Sequence, residues 1–229
     1  MNMNTSNLYK KYKNLSQKRI QVALVDACIK GSLDDVKYLL TSNELKKNAN
    51  INEPMGGPLC NAAEHGQLEI VKYLLTSGDL KEKAKIILNP LTHACRGGHL
   101  EVVRYLLTSS ELKGKIDIHG NNGSSLSWTC ANDHLDITKY LLFSNELEKN
   151  IDIHCYDDIW FRSAIIGNGL KTLKYFIFDL NIERTEAINR YLIENPNEDV
   201  EKMFKIRDLK QTISENLSTK VVKNKKFKV

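Results

Sequence analysis

The sequence contains no run of apolar residues that approaches the roughly 18 needed for a membrane-spanning helix. Residues 1–13 also have no apolar segment like that of a secretory signal peptide. We therefore expect a protein that is not inserted in a membrane and that works in the cytoplasm. For a protein of a virus or pathogen, this would be the cytoplasm of the host cell.

Motifs of the common enzyme classes are also missing. The chain has no glycine-rich phosphate loop, no nucleophile elbow and no His-Glu-x-x-His zinc motif. His93 and Cys95 are two residues apart on a predicted helix, so they point to different faces and do not suggest a shared metal. We expect a protein that is not an enzyme and has no metal or other cofactor.

Acidic residues are absent from residues 1–19, which carry a net charge of +5. Residues 205–229 have a net charge of +6, whereas residues 20–204 have a net charge of −6. A lysine-rich segment from Lys220 to Lys228 can attract phosphates weakly and in a salt-sensitive way. A nucleic-acid-associated adaptor that uses the basic termini is therefore our alternative functional hypothesis.

One tripeptide pattern recurs along most of the chain. Its copies are separated by 35, 32, 35 and 35 residues, and only the last is degenerate. Such a period predicts stacked supersecondary units that cannot bury their apolar faces alone. We predict an all-α solenoid of about five helix-turn-helix units. The copies are Tyr38-Leu39-Leu40, Tyr73-Leu74-Leu75, Tyr105-Leu106-Leu107, Tyr140-Leu141-Leu142 and Tyr175-Phe176-Ile177.

The repeats and the charge pattern together predict the organisation of the chain. A basic N-terminal extension at 1–19 precedes a repeat array at 20–180. A helical C-terminal cap at 181–217 follows it, because terminal repeats need a polar outer face, and a basic tail at 218–229 ends the chain. The predicted units are 20–53, 54–88, 89–120, 121–155 and 156–180.

Each unit has a repeated pattern of small, turn and apolar residues. The first helix needs small inner residues, which are Ala27 and its equivalents. A glycine such as Gly31 suits the left-handed helix end, whereas Asp133 and Asn168 replace it in the last two units and predict weaker turns. In the second helix, Leu33, Val36 and Leu40 recur at i, i+3 and i+7 and form a buried stripe in the first three units.

The segment after each tripeptide predicts a further short helical turn. In the first unit it reads Thr41-Ser-Asn-Glu44, which has the spacing of an N-cap with an acidic residue at N3. We expect this turn to carry a leucine inward in four units. These leucines are Leu45, Leu80, Leu112 and Leu147.

The five cysteines form an odd set without a Cys-x-x-Cys pair. Cys28, Cys95 and Cys130 occupy the same position of their units, which predicts a small buried apolar group there. We interpret them as core thiols of a protein in a reducing compartment.

Several of these features together resemble the ankyrin repeat over residues 20–180. They are Pro-Leu at the start of the first helix, Ala-Ala or Ala-Cys within it, and the Gly-His-Leu-Glu-Val-Val segment at 98–103. The family's Thr-Pro-Leu-His box is altered to Gly57-Pro58-Leu59-Cys60 and similar variants, so its usual hydrogen bonds are not expected. The Thr-Ser-x-Glu-Leu-Lys connector is similar to that of divergent bacterial, phage or large-virus arrays.

The resemblance implies a partner protein on the concave face formed by first helices and loop tips. Trp128 stands in a column of otherwise polar residues and is the predicted anchor. Trp160 either extends this contact or packs inward. We therefore predict a protein-protein interaction module, which could inhibit or sequester a host protein. The predicted contact residues are Glu53, Met55, Glu64, His65, His93, Arg96, Asn121, Asn122, Trp128, Asn132, Tyr156, Asp157, Asp158 and Trp160.

Overall fold

The computed structural model describes residues 3–53, 57–80, 84–86, 89–154 and 156–226, with no account of the side chains of residues 3–5, 121 and 218–226. Within these ranges the chain forms thirteen α-helices and no strand. Five helix-turn-helix units lie between an N-terminal helix and two C-terminal helices. The predicted all-α repeat solenoid is confirmed.

The helices are numbered in chain order. The N-terminal helix is α1 (Met3–Tyr12), and the C-terminal pair is α12 (Glu186–Glu194) and α13 (Glu198–Lys226). A π-helical turn, Tyr175–Asp179, continues the last unit's second helix. The five units contain α2 (Gln17–Lys30) and α3 (Leu33–Thr41), α4 (Gly57–Glu64) and α5 (Leu68–Thr76), α6 (Pro90–Gly97) and α7 (Leu100–Thr108), α8 (Gly120–Ala131) and α9 (Leu135–Phe143), and α10 (Ile159–Ile166) and α11 (Leu170–Lys174).

The units stack in two helical layers. The first helices α2, α4, α6, α8 and α10 pack in series, and the second helices α3, α5, α7, α9 and α11 form a parallel row. Small residues allow the first helices to approach each other closely. All of them are buried, namely Ala27, Ala62, Ala94, Thr129 and Ala164. Thr129 is accommodated because its hydroxyl donates to the Leu126 carbonyl and accepts from the Thr138 hydroxyl.

The buried stripe of the second helices differs from the predicted stripe in which residues are buried most deeply. Val36 and Leu39 are fully buried, whereas Leu33 and Leu40 are half-buried. The same holds for Val103 and the middle leucine of its tripeptide in the third unit. In the first four units, the middle leucine of the tripeptide is therefore among the most deeply buried residues of its repeat.

The turns between paired helices have the predicted left-handed backbone. Gly31, Gly66 and Gly98 have φ of 78°, 72° and 79°, and Asp133 and Asn168 adopt 59° and 58°. In the fourth unit, the side chain of Asp133 also contacts the next unit. The Asp133 carboxylate accepts hydrogen bonds from the backbone N–H and the hydroxyl of Thr172, at 2.9 and 3.1 Å, and so links its turn to the next unit.

Three side chains connect consecutive units across these turns. They occupy one repeat position, immediately before the second helix. Gln67 donates to the Ile29 carbonyl at 3.0 Å, and a ring nitrogen of His134 lies 3.1 Å from the Arg96 carbonyl. His99 bonds the backbone of Glu64 in the same way. These bonds join adjacent units where the altered box is not expected to do so, and they explain why the histidines recur with the repeat.

The His99 contact predicts a pH dependence of stability. Burial lowers the pKa of His99, the Glu64 backbone bond raises it, and the neighbouring His134 and His65 lower it, with a net lowering. The neutral ring thus stabilises the fold fully above about pH 6.5, the ordinary histidine pKa. This contribution is lost as the pH falls through the lowered pKa, because the unfolded chain binds the proton more readily.

We expect His99→Gln to reduce the pH dependence of the urea midpoint between about pH 7.5 and about pH 5.5. Glutamine is the matched replacement because Gln67 already makes this bond in the second unit. Carboxylates titrate equally in both proteins, so the difference between the two pH profiles isolates His99. An identical fall of the midpoint in the variant would contradict this role.

A second series of inter-unit contacts lies between the second helices. The basic residue before each tripeptide places its charge over the tyrosine ring of the following unit, within the usual cation–π range. The repeated tyrosine is therefore a contact between units rather than only a core residue. The pairs are Lys37 and Tyr73 at 5.6 Å, Lys72 and Tyr105 at 5.9 Å, Arg104 and Tyr140 at 5.4 Å, and Lys139 and Tyr175 at 4.3 Å.

The connector after each tripeptide differs from the prediction. Thr41 is the last residue of α3, and its hydroxyl donates back to the Lys37 carbonyl, so it is not an N-cap. Ser42 accepts from the Glu44 N–H instead, at 3.1 Å. Among the described connectors, a 3₁₀ turn is formed only at Ser110–Leu112. Leu45 and Leu112 are buried, whereas Leu80 and Leu147 are half-buried.

Both ends of the array are covered by helices. Tyr12 of α1 stacks on Tyr38 with ring centroids 6.1 Å apart, and its hydroxyl donates to Asp35 at 2.8 Å. At the other end, α12 contacts α10, and α13 contacts the π-helical turn. Phe204 of α13 is buried, 6.1 Å from the Phe161 ring. Much of the basic N-terminal extension is thus helical and packed on the first unit.

Candidate partner-binding surface

A row of polar and aromatic side chains crosses three consecutive first helices. Glu64 lies at the end of α4, His93 and Arg96 lie on α6, and Trp128 lies on α8. The Arg96 guanidinium is 5.5 Å from the centre of the Trp128 ring and also pairs with the Glu64 carboxylate. We call these four residues the concave row, after the concave face that the family resemblance predicts for the first helices. They are held together by the stacking of the helices that carry them.

The acidic member of the concave row is held in its charged form. Burial raises the pKa of Glu64, but the hydrogen bonds and charges of Arg96 and His93 together lower it below its ordinary value. The His93 ring nitrogen is 3.1 Å from the carboxylate. The paired charges restrain Arg96, which in turn supports one face of the Trp128 ring.

The Trp128 side chain of the concave row is accessible to solvent. It is 40% exposed although the next residue, Thr129, is fully buried. An indole that is held by a neighbour and open to solvent is the type of residue on which interface energy concentrates. This exposure is compatible with the predicted anchor.

Three other predicted contact residues are exposed. His65 and Asn132 are exposed at the ends of their first helices, and the Asn132 amide donates to the Trp128 carbonyl at 2.9 Å. Glu53 is exposed in the first loop, where its carbonyl accepts from Gln21. Met55 lies outside the described residues.

The loop before the fourth unit differs from the predicted loop tip. Asn121 and Asn122 belong to α8, which begins at Gly120. Asn122 is exposed and has a left-handed φ of 52°. In the fifth unit, Tyr156 and Asp157 are exposed as expected, and the Tyr156 hydroxyl donates to the His119 carbonyl at 3.2 Å.

Two predicted contact residues are buried, so these predictions are wrong. Trp160 is 0% exposed, because its ring fills the core against Phe161 and Phe176, and its N–H donates to the Ile153 carbonyl. Asp158 is 5% exposed and accepts from the Thr185 hydroxyl at 2.5 Å. Asp158 therefore joins the fifth unit to α12 rather than facing a partner.

Sequence reasoning missed the contact between Arg96 and Trp128. Arg96 lies one helical turn beyond the position of its own unit that is equivalent to Trp128, so the two side chains meet only when adjacent first helices stack. The repeat period could have indicated this contact, but only through a comparison of residues in neighbouring units, not of residues within one helix.

Residues typical of metal sites or reactive centres are separated or shielded. Across the described ranges, no group of three or more His, Cys, Asp or Glu side chains could hold a metal ion. Cys28, Cys60, Cys95 and Cys130 are free and buried, as predicted for the three equivalent thiols. Burial raises the pKa of Cys28 and of Cys130 to about 12, which suppresses the reactive thiolate. Cys155 lies outside the described residues.

In the part of the chain that the structure describes, no helix combines the length and the apolar composition needed to cross a bilayer.

Comparison with known proteins gives one family. The model of the ankyrin repeats (three copies) matches residues 5–85 and 59–157, together more than half of the chain. No curated protein matches. The matched range ends just before α10, the first helix of the fifth unit, although the structure packs α10 on α8.

Proposed function

Because the chain belongs to the ankyrin repeat family, whose arrays generally mediate protein-protein interaction, we propose that it binds a partner protein through the concave row. The observation that carries this proposal is the accessible Trp128 ring, supported by Arg96 from the preceding unit. We assign to the same interface five further predicted contact residues that are exposed, namely Glu53, His65, Asn132, Tyr156 and Asp157. Members of this family are typically not enzymes.

The chemistry of the concave row describes the partner. An apolar or aromatic group that covers the indole would gain burial, while polar groups at the rim would meet the exposed Asn132 and His65. When the covered surface is the partner's own functional surface, binding inhibits or sequesters it. The buried free thiols support a reducing compartment, and we place this interaction in the cytoplasm.

The charge distribution supports a protein partner over a nucleic acid. The two segments with a net positive charge are separated by the array, at residues 1–19 and 205–229. On α1, Lys11 is already paired with Asp35 at 2.9 Å. Binding through the lysines from Lys220 to Lys228 predicts retardation of DNA at low salt that is lost when residues 218–229 are removed. Equal mobility of both proteins would eliminate this alternative.

We expect Trp128→Ala to weaken partner binding by about 2 kcal/mol, or about 30-fold in Kd. The partner is first isolated by affinity capture from the native cell, and its Kd is then measured by calorimetry with purified components. The matched control is Phe143→Ala, because Phe143 is also exposed, at 55%, but lies on the second helix of the same unit. The unfolding midpoint of both variants should change little.

The expected pattern is loss of affinity for the Trp128 variant and unchanged affinity for the Phe143 variant. Equal affinities of wild type and Trp128→Ala would remove the concave row from the interface. An effect of Phe143→Ala alone would move the interface to the second helices.

A further inference from the structure

Two cavities flank the connector of the first unit, which joins α3 to the second unit. The smaller one, of about 250 Å³, is lined by this connector, by the start of α2 and by the segment before it. The larger one, of about 510 Å³, extends from the connector to Leu80 of the second unit. Both are lined by Leu45, Lys46 and Lys47, so the two cavities lie side by side along the connector. We call them the connector cavities.

The charged side chains that line the connector cavities are lysines. Lys13, Lys46 and Lys47 are exposed, and in the described part of the chain no acidic side chain lines either cavity. The nearest acid along the chain, Glu44, accepts a hydrogen bond from the Tyr38 hydroxyl at 2.9 Å. None of the three lysines forms an ion pair with a described residue, so the protein itself does not neutralise their charge.

The equivalent connector of the third unit shows how the array balances such a lysine elsewhere. Lys113 follows the buried Leu112 as Lys46 follows the buried Leu45. Lys113 pairs with Glu148 at 2.7 Å, and the cavity beside it is lined by three acidic residues. Because the first unit has the lysine without the acids, its connector suits a negatively charged ligand. The three acidic residues of the third connector's cavity are Asp117, Glu146 and Glu148.

Hydrogen bonds attach the first connector to both helices of its unit. The Gln17 side chain of α2 donates to the Asn48 carbonyl at 2.9 Å. The Ala49 N–H donates to the Leu39 carbonyl of α3 at 2.9 Å. The backbone next to the two lysines of the connector is therefore held in place before a ligand binds, which lowers the entropic cost of binding.

We propose that the connector cavities bind an acidic segment of a protein chain that also carries apolar side chains. Its carboxylates contact the three lysines, and its apolar side chains cover Leu15, which is half-buried at the smaller cavity. Lysine suits this arrangement because its apolar stem can lie on an apolar surface while its charge stays in water. The site is separate from the concave row, and the proposal does not depend on partner binding there.

The lining of the connector cavities favours a peptide over a nucleic acid. Single-stranded nucleic acids are held by aromatic side chains that stack on the bases, and no aromatic side chain lines these cavities in the described ranges. The smaller cavity is instead lined by Leu15, Ile20 and Leu45, which offer contacts to apolar side chains. Two cavities along one connector also suit an extended chain with side chains in both.

Fluorescence anisotropy of a labelled peptide that repeats Glu-Glu-Leu tests the site on the full chain at low salt. Lys46→Gln with Lys47→Gln should weaken its binding about tenfold, because two of the three charges are lost. Lys13→Gln should have a smaller effect in the same direction, since this ammonium also lies 5.4 Å from the Tyr9 ring centre. The unfolding midpoint should not change, because all three side chains are exposed.

The matched control removes the same charge from the equivalent connector. Lys113→Gln with Lys115→Gln should bind the peptide like wild type, because Lys113 is already paired with Glu148 and Lys115 donates to the Glu111 carbonyl. A peptide that repeats Gln-Gln-Leu should not bind, since it has no charge. One that repeats Glu-Glu-Ser should bind more weakly than Glu-Glu-Leu, since it has no apolar side chain.

Each other outcome overturns the proposal. Absence of binding to the Glu-Glu-Leu peptide at low salt would remove the site. Equal weakening by the two double variants would show only a general attraction to the net charge of +5. Tighter binding of a single-stranded oligonucleotide, lost in the Lys46 and Lys47 variant, would make a nucleic acid the ligand instead. Trp128→Ala should leave peptide binding unchanged, so a failure here is distinguishable from a failure of the concave row.

Discussion

Replacement of Trp160 by alanine is expected to lower the free energy of unfolding by about 3–5 kcal/mol. The ring is completely buried, and its centroid is 4.0 Å from that of Phe176 and 5.6 Å from that of Phe161. Its removal leaves a large cavity in the core of the fifth unit, between α10 and the π-helical turn. Denaturant unfolding followed by circular dichroism measures the loss.

The other tryptophan of the chain is the matched control for this prediction. Trp128→Ala should change the free energy of unfolding much less, because that ring is 40% exposed. Trp160→Phe should be intermediate, because it keeps an aromatic ring but leaves the Ile153 carbonyl without its indole donor. Equal destabilisation by the two alanine variants would show that the buried and exposed environments are assigned wrongly.

Loss of the Asp133 carboxylate is expected to weaken the contact between the fourth and fifth units. The carboxylate accepts from the N–H groups of Lys171 and Thr172, at 3.2 and 2.9 Å, at the start of α11. Gly169 precedes this helix and has no side chain to cap it. A negative group at this position also favours the positive end of the helix dipole.

We expect Asp133→Ala to cost about 3 kcal/mol, about 2 for the charged hydrogen bonds and about 1 for a left-handed alanine. Asp133→Gly removes only the first of these contributions, since glycine accepts the φ of 59° without strain. Asp133→Asn keeps one acceptor and should cost least. The three variants are compared by urea unfolding, and a glycine variant as stable as wild type would show that the carboxylate contributes nothing.

The Asp133 series also explains how far the turn could be predicted. The replacement of glycine by Asp133 predicted a weaker turn. This prediction considered only the backbone of a single unit. The carboxylate finds its partners on the next unit, 38 and 39 residues along the chain. A contact between units compensates for the local strain, and local propensity does not describe such a contact.

The C-terminal helices also have features that the sequence predicted and features that it did not. The sequence predicted a helical cap at 181–217, and the structure has helices at Glu186–Glu194 and Glu198–Lys226. The second helix extends past the predicted end of the cap, because no proline or glycine interrupts residues 218–226. The sequence showed the apolar residues of this segment, but only packing on the array decided which face of α13 remained open.

The repeat period, the small residues of the first helices and the left-handed turns follow from the sequence, because each depends on local geometry repeated at a fixed interval. Whether each tryptophan is buried or exposed does not follow from the sequence. Trp128 and Trp160 both lie on first helices, yet one is exposed beside Arg96 and the other fills the core with Phe176. Burial depends on the neighbouring units and the terminal helices, so only the tertiary structure decided which tryptophan is available to a partner.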